Sequence, residues 1–165
     1  NDIFAVCALA LSSDGSRRSM VKLNYTTANG YAVRAFAYDD NLVWQVTGWY
    51  VITDAEHYIE VQVQYATSAT ANNGTLTLWI DGTQQQQLTG LDIYTTTKPS
   101  RGLLGAIAEL DVGTSGTLFL DEFVLNDDGS EIGVVPENLW LFLTIVPFIP
   151  VMLSKRKKPK TGVRR

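Results

Sequence analysis

The chain has 165 residues, 45% of them hydrophobic, with one cysteine and a formal net charge of −4. One cysteine excludes an internal disulfide framework and any multi-cysteine metal site. The charge is also split: residues 155 to 165 carry seven Lys or Arg and no acid, while the rest carries six Lys or Arg against seventeen Asp or Glu, a balance of −11. A body that negative repels nucleic acid, whereas the basic tail suits anionic lipid.

From the start, Ile3 to Leu11 is an apolar run closed by the turn-forming Ser12-Ser-Asp-Gly-Ser16. Cys7 within it reads as a small buried hydrophobe, with an acylated or otherwise attached cysteine as the alternative. Ser19 to Thr26 alternates, Val21, Leu23 and Tyr25 against Lys22 and Asn24, as a half-buried strand requires. Ala28-Asn-Gly30 turns the chain into a strand from Tyr31 to Tyr38, because Asn-Gly accepts the left-handed backbone of a tight hairpin. Asp39-Asp-Asn41 turns it again, into Leu42 to Val46 and Trp49 to Ile52.

Thr53-Asp-Ala-Glu56 has the residues to cap one helical turn, and His57 to Ala66 then alternates as a strand. Thr75 to Ile80, the turn Asp81-Gly82 and Thr83 to Leu88 make the clearest hairpin. Gly102 to Leu110 and Thr117 to Leu125 follow as further strands, and Asn126-Asp-Asp-Gly-Ser130 ends the domain. Eight or nine short strands without a long amphipathic helix predict an all-β fold, an antiparallel sandwich ahead of a closed up-and-down barrel.

Past Pro136-Glu-Asn138, Leu139 to Leu153 is fifteen residues without a charge, followed by Ser154 and the cluster Lys155, Arg156, Lys157 and Lys158. This order predicts one transmembrane helix with a cytoplasmic C-terminus and an extracellular main domain. Fifteen residues span about 22 Å, short of the roughly 30 Å hydrocarbon core, so flanking residues and snorkelling basic stems complete the crossing. Trp140 and Phe142 lie in the apolar run; Pro147 and Pro150 each remove a backbone donor, which spans tolerate. The expected organisation is an extracellular domain over 1–127, a linker over 128–135, the span over 136–154 and a basic tail over 155–165 at the cell membrane. That topology calls for an export signal, so the sequence is expected to be processed or incomplete at its start.

Catalytic patterns do not emerge. His57 stands alone, and no Gly-x-Ser-x-Gly, His-Glu-x-x-His or phosphate-cradling glycine loop is present, so no enzymatic role is expected. No cofactor is required, although calcium is the cation that acidic loops suit. Its candidate ligands are Asp39 with Asp40, Asp81, and Asp127 with Asp128; none has EF-hand spacing, and each also reads as an ordinary turn. For ligand binding the candidates are aromatic: Trp44, Trp49, Tyr50 and Trp79, which stack on sugar faces or fill a sandwich core.

The order of Ser19-Met-Val-Lys-Leu-Asn-Tyr25, Tyr31-Ala-Val-Arg-Ala-Phe36, Leu76-Thr-Leu-Trp-Ile-Asp-Gly82 and Gly116-Thr-Leu-Phe-Leu-Asp-Glu-Phe123 resembles the concanavalin A-like lectin/glucanase superfamily. More narrowly it is similar to laminin-G-like jelly rolls of bacterial surface proteins, over residues 3 to 127. The resemblance implies a jelly roll and further strands ahead of Ile3, supplied by upstream residues or by another chain. Glu109-Leu-Asp111 matches the start of the glucan-cleaving motif, but Val112-Gly-Thr114 supplies no second glutamate, which opposes hydrolysis. The tail resembles C-terminal sorting segments of exported proteins, with Val135-Pro-Glu-Asn138 ahead of the apolar run.

The leading expectation is therefore an anchored, non-catalytic surface module with a structural, adhesion or glycan-binding role. The second is an accessory subunit of a membrane complex whose span packs on other helices, and the remote third is a glycan-degrading enzyme. Expected partners are membrane lipid, surface glycan or other complex subunits, and no nucleic acid.

Overall fold

The structure is a computed structural model that describes residues 2–94 and 98–133. The chain divides into two compact units, Asn1–Val135 and Pro136–Arg165, and the second lies outside the described residues. The expected span and the anchor residues Trp140, Phe142, Pro147, Pro150 and Lys155 to Lys158 lie there too. Among the described residues no helix is long and apolar enough to cross a membrane.

What is described is all-β and antiparallel. Nine strands form: β1 (Asp2–Ala10), β2 (Arg17–Thr26), β3 (Gly30–Tyr38), β4 (Trp44–Val46), β5 (Tyr50–Ile52), β6 (Ile59–Gln64), β7 (Gly74–Ile80), β8 (Thr83–Leu91) and β9 (Arg101–Ala108). A six-stranded sheet runs β4-β3-β2-β1-β9, with β5 also on β3, and a three-stranded sheet runs β6-β7-β8. The β7–β8 turn is the one its sequence demands: Asp81 and Gly82 both take positive φ, 52° and 73°, the left-handed pair of a tight hairpin.

Strands β4 and β5 share one edge of β3 in succession, β4 on Phe36–Tyr38 and β5 on Tyr31–Val33. Thr47 joins them and is fully buried. Its amide donates to the Ala35 carbonyl and its hydroxyl accepts from the Ala35 amide, both at 3.0 Å. One threonine thus supplies the ladder contacts where the strand breaks, and Arg34 Nε adds a bond to its carbonyl at 2.9 Å.

The two sheets meet across Ala35 and Ala37 of β3 and Leu76 and Leu78 of β7, all at 0% exposure. Small residues on one side and leucines on the other let the layers approach closely, and each leucine so buried contributes roughly 1.5–3 kcal/mol. Val21, Val33 and Ile80 extend this core. The opposite face of the larger sheet carries its own apolar cluster, Ala5, Ala8, Met20 and Phe36, with Trp44 and Leu103 against it.

Three strands do not cover six. Toward β1 and β9 the inner face is met by the chain after residue 120: a methyl on Gly102 would lie 3.1 Å from both the Phe123 ring and Leu125 Cδ1. Thr117 to Leu125, which the sequence reads as a strand, forms none. Phe119 is 88% exposed and Leu125 56%. Both flanking edges, of β9 and of β6, are free of strand partners among the described residues. The segment has strand chemistry and joins neither ladder.

Candidate binding cleft

The open side between the layers holds a cleft of about 420 Å³. Leu9 and Ser19 line it from the larger sheet, Val61, Val63 and Tyr65 from β6 and its exit, and Val124 and Leu125 from the C-terminal stretch. Its rim is charged: Arg18, Asp39, Asp40, Glu60, Lys98 and Asp127. Arg18 Nε is buried with no hydrogen-bond partner, a donor that burial leaves unsatisfied. Lys98 Nζ sits 5.5 Å from the Tyr65 ring centre. Burial raises the Tyr65 phenol above its usual pKa, the Arg18 charge lowers it in part, and Asp40 raises it further.

The stretch after Leu125 is pinned along β6. Gln62 Nε2 donates to the Gly129 carbonyl at 2.7 Å, and the Glu60 carboxylate accepts the Ile132 and Gly133 amides at 2.7 and 2.9 Å. Between these contacts Asp128 accepts the Ser130 amide and hydroxyl and holds an Asx-type turn. The Ser130 hydroxyl and amide and the Asn126 side chain hold the Asp128 carboxyl below its ordinary pKa.

The aromatic candidates do not gather. Trp79 is 5% exposed and sits between Glu60 and Gln84 on the outward side of the smaller sheet. Tyr50 packs into the core and donates its hydroxyl to Gln86 Oε1 at 3.1 Å. Trp44 stacks on Tyr38 with ring centres 3.5 Å apart and meets Phe36 edge-on at 5.8 Å. Trp49 is half-buried, with the Arg34 guanidinium 4.9 Å from its ring centre. Four rings in four surroundings make no shared platform.

The acids fare differently. Asp39 and Asp40 from one turn and Asp127 from another reach the rim of the same cleft, while the Asp128 carboxylate closes the turn onto Ser130. Asp39 is occupied: Oδ1 accepts the Asn41 and Val43 amides, and Oδ2 accepts Gln45 Nε2. Asp40 Oδ1 accepts the Tyr94 amide at 3.1 Å. Among the described residues no three or more His, Cys, Asp or Glu side chains converge as a metal cage would require. Glu109 takes positive φ just past β9 and pairs with Lys22 at 2.5 Å, so Glu109 and Asp111 lie beyond the strand end instead of sharing a strand face.

His57 was legible only as a lone histidine; the fold gives it partners. Nε2 lies 2.8 Å from the Thr53 hydroxyl and accepts the Thr53 amide at 3.1 Å. Nδ1 lies 2.8 Å from Asp81 Oδ2, and Asp81 Oδ1 accepts the Tyr58 amide at 2.9 Å. Burial pushes the Asp81 carboxyl up, but the His57 and Tyr58 bonds outweigh it and leave the pKa below its ordinary value. Cys7 is half-buried and its thiol is pushed up by burial, the signature of an inert packing cysteine.

Comparisons with protein-family models, with curated proteins and with solved structures give no match for this chain.

Proposed function

We propose that this chain is a membrane-anchored, non-catalytic β-sandwich module of the jelly-roll type, displayed outside the cell, that assembles with a neighbouring polypeptide. The observation that carries the reading is the cleft beside β6. One wall is β6, a sheet edge without a strand partner among the described residues; the floor is apolar, with Leu9, Val63 and Leu125; the rim carries both charges. An extended peptide answers all three at once, its backbone bonding to the edge and alternate side chains entering the cleft.

A glycan answers them less well. Sugar recognition calls for an exposed aromatic face, and the aromatic candidates are buried, packed into the core, stacked on Tyr38 or faced by Arg34. The placement at the membrane is supported by the sequence alone, through the apolar run before the basic tail. The connection from Leu125 to Leu139 is short, so the module works close to the bilayer and favours assembly with neighbours over capture at a distance.

Hydrogen exchange of the β6 amides, residues 59 to 64, provides the test. In the native membrane these amides are expected to be protected, and protection of the edge-facing ones should fall once the full chain is purified in mild detergent. Equal exchange in both settings would sink the assembly reading. Binding on a glycan array with β6 exchange unchanged would move the assignment to sugar.

A further inference from the structure

The Thr53–His57–Asp81 contact is fully formed, lies away from the cleft and has no part in the reading above. Its geometry fixes the tautomer. The Thr53 amide points its hydrogen at Nε2, so Nε2 carries the lone pair, and the ring proton sits on Nδ1, donated to Asp81 Oδ2. Neutral His57 therefore holds two things together: the start of the loop between β5 and β6, through Thr53, and the tip of the β7–β8 hairpin, through Asp81.

We propose that His57 is a proton-operated latch that, on charging, releases the backbone amide of Thr53 at the start of the 53–56 loop while staying on the hairpin. The doubly protonated ring has no acceptor, so its Nε2 proton faces the Thr53 amide hydrogen and that bond is lost. The Asp81 side strengthens in the same step, because a charged donor now meets a carboxylate. Tyr58, whose amide is held by Asp81 Oδ1, stays in place. The Thr53 hydroxyl, 2.8 Å away, can turn to accept the new proton, so the loop is re-seated on its side chain and freed at its backbone.

The charged groups concerned are Asp81 across the contact and Asp54 and Glu56 within the loop itself. Imidazole is the side chain whose charge ordinarily changes between pH 5 and 8, a range met by a surface-exposed domain in an acidifying medium. The loop ends two residues before β6, and His57 and Tyr58 between them stay held by Asp81, so acidification loosens the loop and leaves the strand seated.

The test is amide exchange of the full chain in detergent micelles, read residue by residue from pH 8 to pH 5 and corrected for the intrinsic pH dependence of exchange. Thr53 is expected to lose about tenfold in protection, one net hydrogen bond's worth, with the midpoint of the His57 ring titration, while Tyr58 keeps its protection. His57→Gln removes the charge change, and Thr53 protection becomes flat with pH. Thr53→Val keeps the amide and must retain the loss; Asp81→Asn must move the midpoint to lower pH. Constant Thr53 protection in the parent chain overturns the latch. So does the same loss in His57→Gln, its disappearance in Thr53→Val, or a midpoint unmoved by Asp81→Asn.

Discussion

Two stretches of this chain have similar sequence character and opposite fates. Gly74 to Ile80 alternates Leu76, Leu78 and Ile80 with Thr75, Thr77 and Trp79, and as β7 it is central in its sheet and buried on both faces. Thr117 to Leu125 is equally rich in strand-forming apolar residues, in the runs Leu118 to Leu120 and Phe123 to Leu125, yet it makes no ladder and leaves Phe119 88% exposed. Propensity is comparable in the two. What differs is the neighbour: β7 has a hairpin partner two residues away and a preceding strand in register, whereas Thr117 to Leu125 follows a glycine-rich stretch with no adjacent strand aligned to it. Strand formation depends on cross-strand pairing more than on the segment itself.

The strongest way to sharpen this contrast is to truncate each side. Leu78→Ala in β7 removes a fully buried side chain facing Ala35 and Ala37 and is expected to lower the stability of the domain by about 2–5 kcal/mol. Phe119→Ala is expected to change it by less than about 0.5 kcal/mol, the usual range for exposed positions. Denaturant unfolding of the two variants measures both. A loss at Phe119 comparable to that at Leu78 would mean that Thr117 to Leu125 is packed as tightly as β7, and the contrast would collapse.

Next in size is the join between β4 and β5. Thr47→Val keeps the shape but removes the oxygen that accepts the Ala35 amide in a fully buried position. An orphaned buried amide costs about 1–3 kcal/mol, which unfolding curves will show. Thr47→Ser retains the hydroxyl and should recover most of that loss. A serine variant no better than valine would point to methyl packing as the reason for the threonine.

A smaller effect is expected where the C-terminal stretch touches the sheet. Gly102→Ala places a methyl 3.1 Å from the Phe123 ring and Leu125 Cδ1. Both are ends of side chains that can move, and no strand ladder holds them, so the global cost should stay below about 1 kcal/mol. The local signature is a rise in amide exchange over residues 123–130 with β1 and β9 unchanged. Exchange that rises in β1 and β9 as well would show that the stretch is a working part of the sheet's cover.

Much of the body was readable because its signals are local. Asp81-Gly82 and Asn29-Gly30 announce their turns, and alternation in Ser19 to Thr26 and in His57 to Ala66 places β2 and β6 within two residues of their ends. Gly102 to Leu110 anticipates β9, which the structure ends at Ala108 because Glu109 turns away with positive φ. The features that escaped are relations between distant residues. No periodicity says that β4 and β5 share one edge of β3, that Thr47 bridges them, or that His57 meets Asp81. Trp79 shares its strand face with two threonines, so alternation marks that face as the polar one, yet the residue is buried there between its neighbours on β6 and β8. The cleft is harder still, since it arises from a mismatch of six strands against three.

The smallest effects separate the two regions by pH. Asp81 and Asp128 both have folded pKa values held below the ordinary carboxylate range. A depressed carboxylate contributes stability that is fully present above its unfolded pKa, near 3.9, and is lost as pH falls through the lower, folded value. Asp81 ties the β7–β8 hairpin to the β5–β6 loop within the core-bearing body. Asp128 closes only its own turn with Ser130 and Asn126, outside any strand. Asp81→Asn should therefore flatten the acid limb of the global unfolding midpoint below about pH 4. Asp128→Asn should leave that limb in place and change only local exchange around Ser130, as the Gln62 and Glu60 contacts still pin the stretch to β6. If Asp128→Asn flattened the global acid limb as much as Asp81→Asn, the C-terminal stretch would be unfolding together with the sheets, and the two regions would form one cooperative unit.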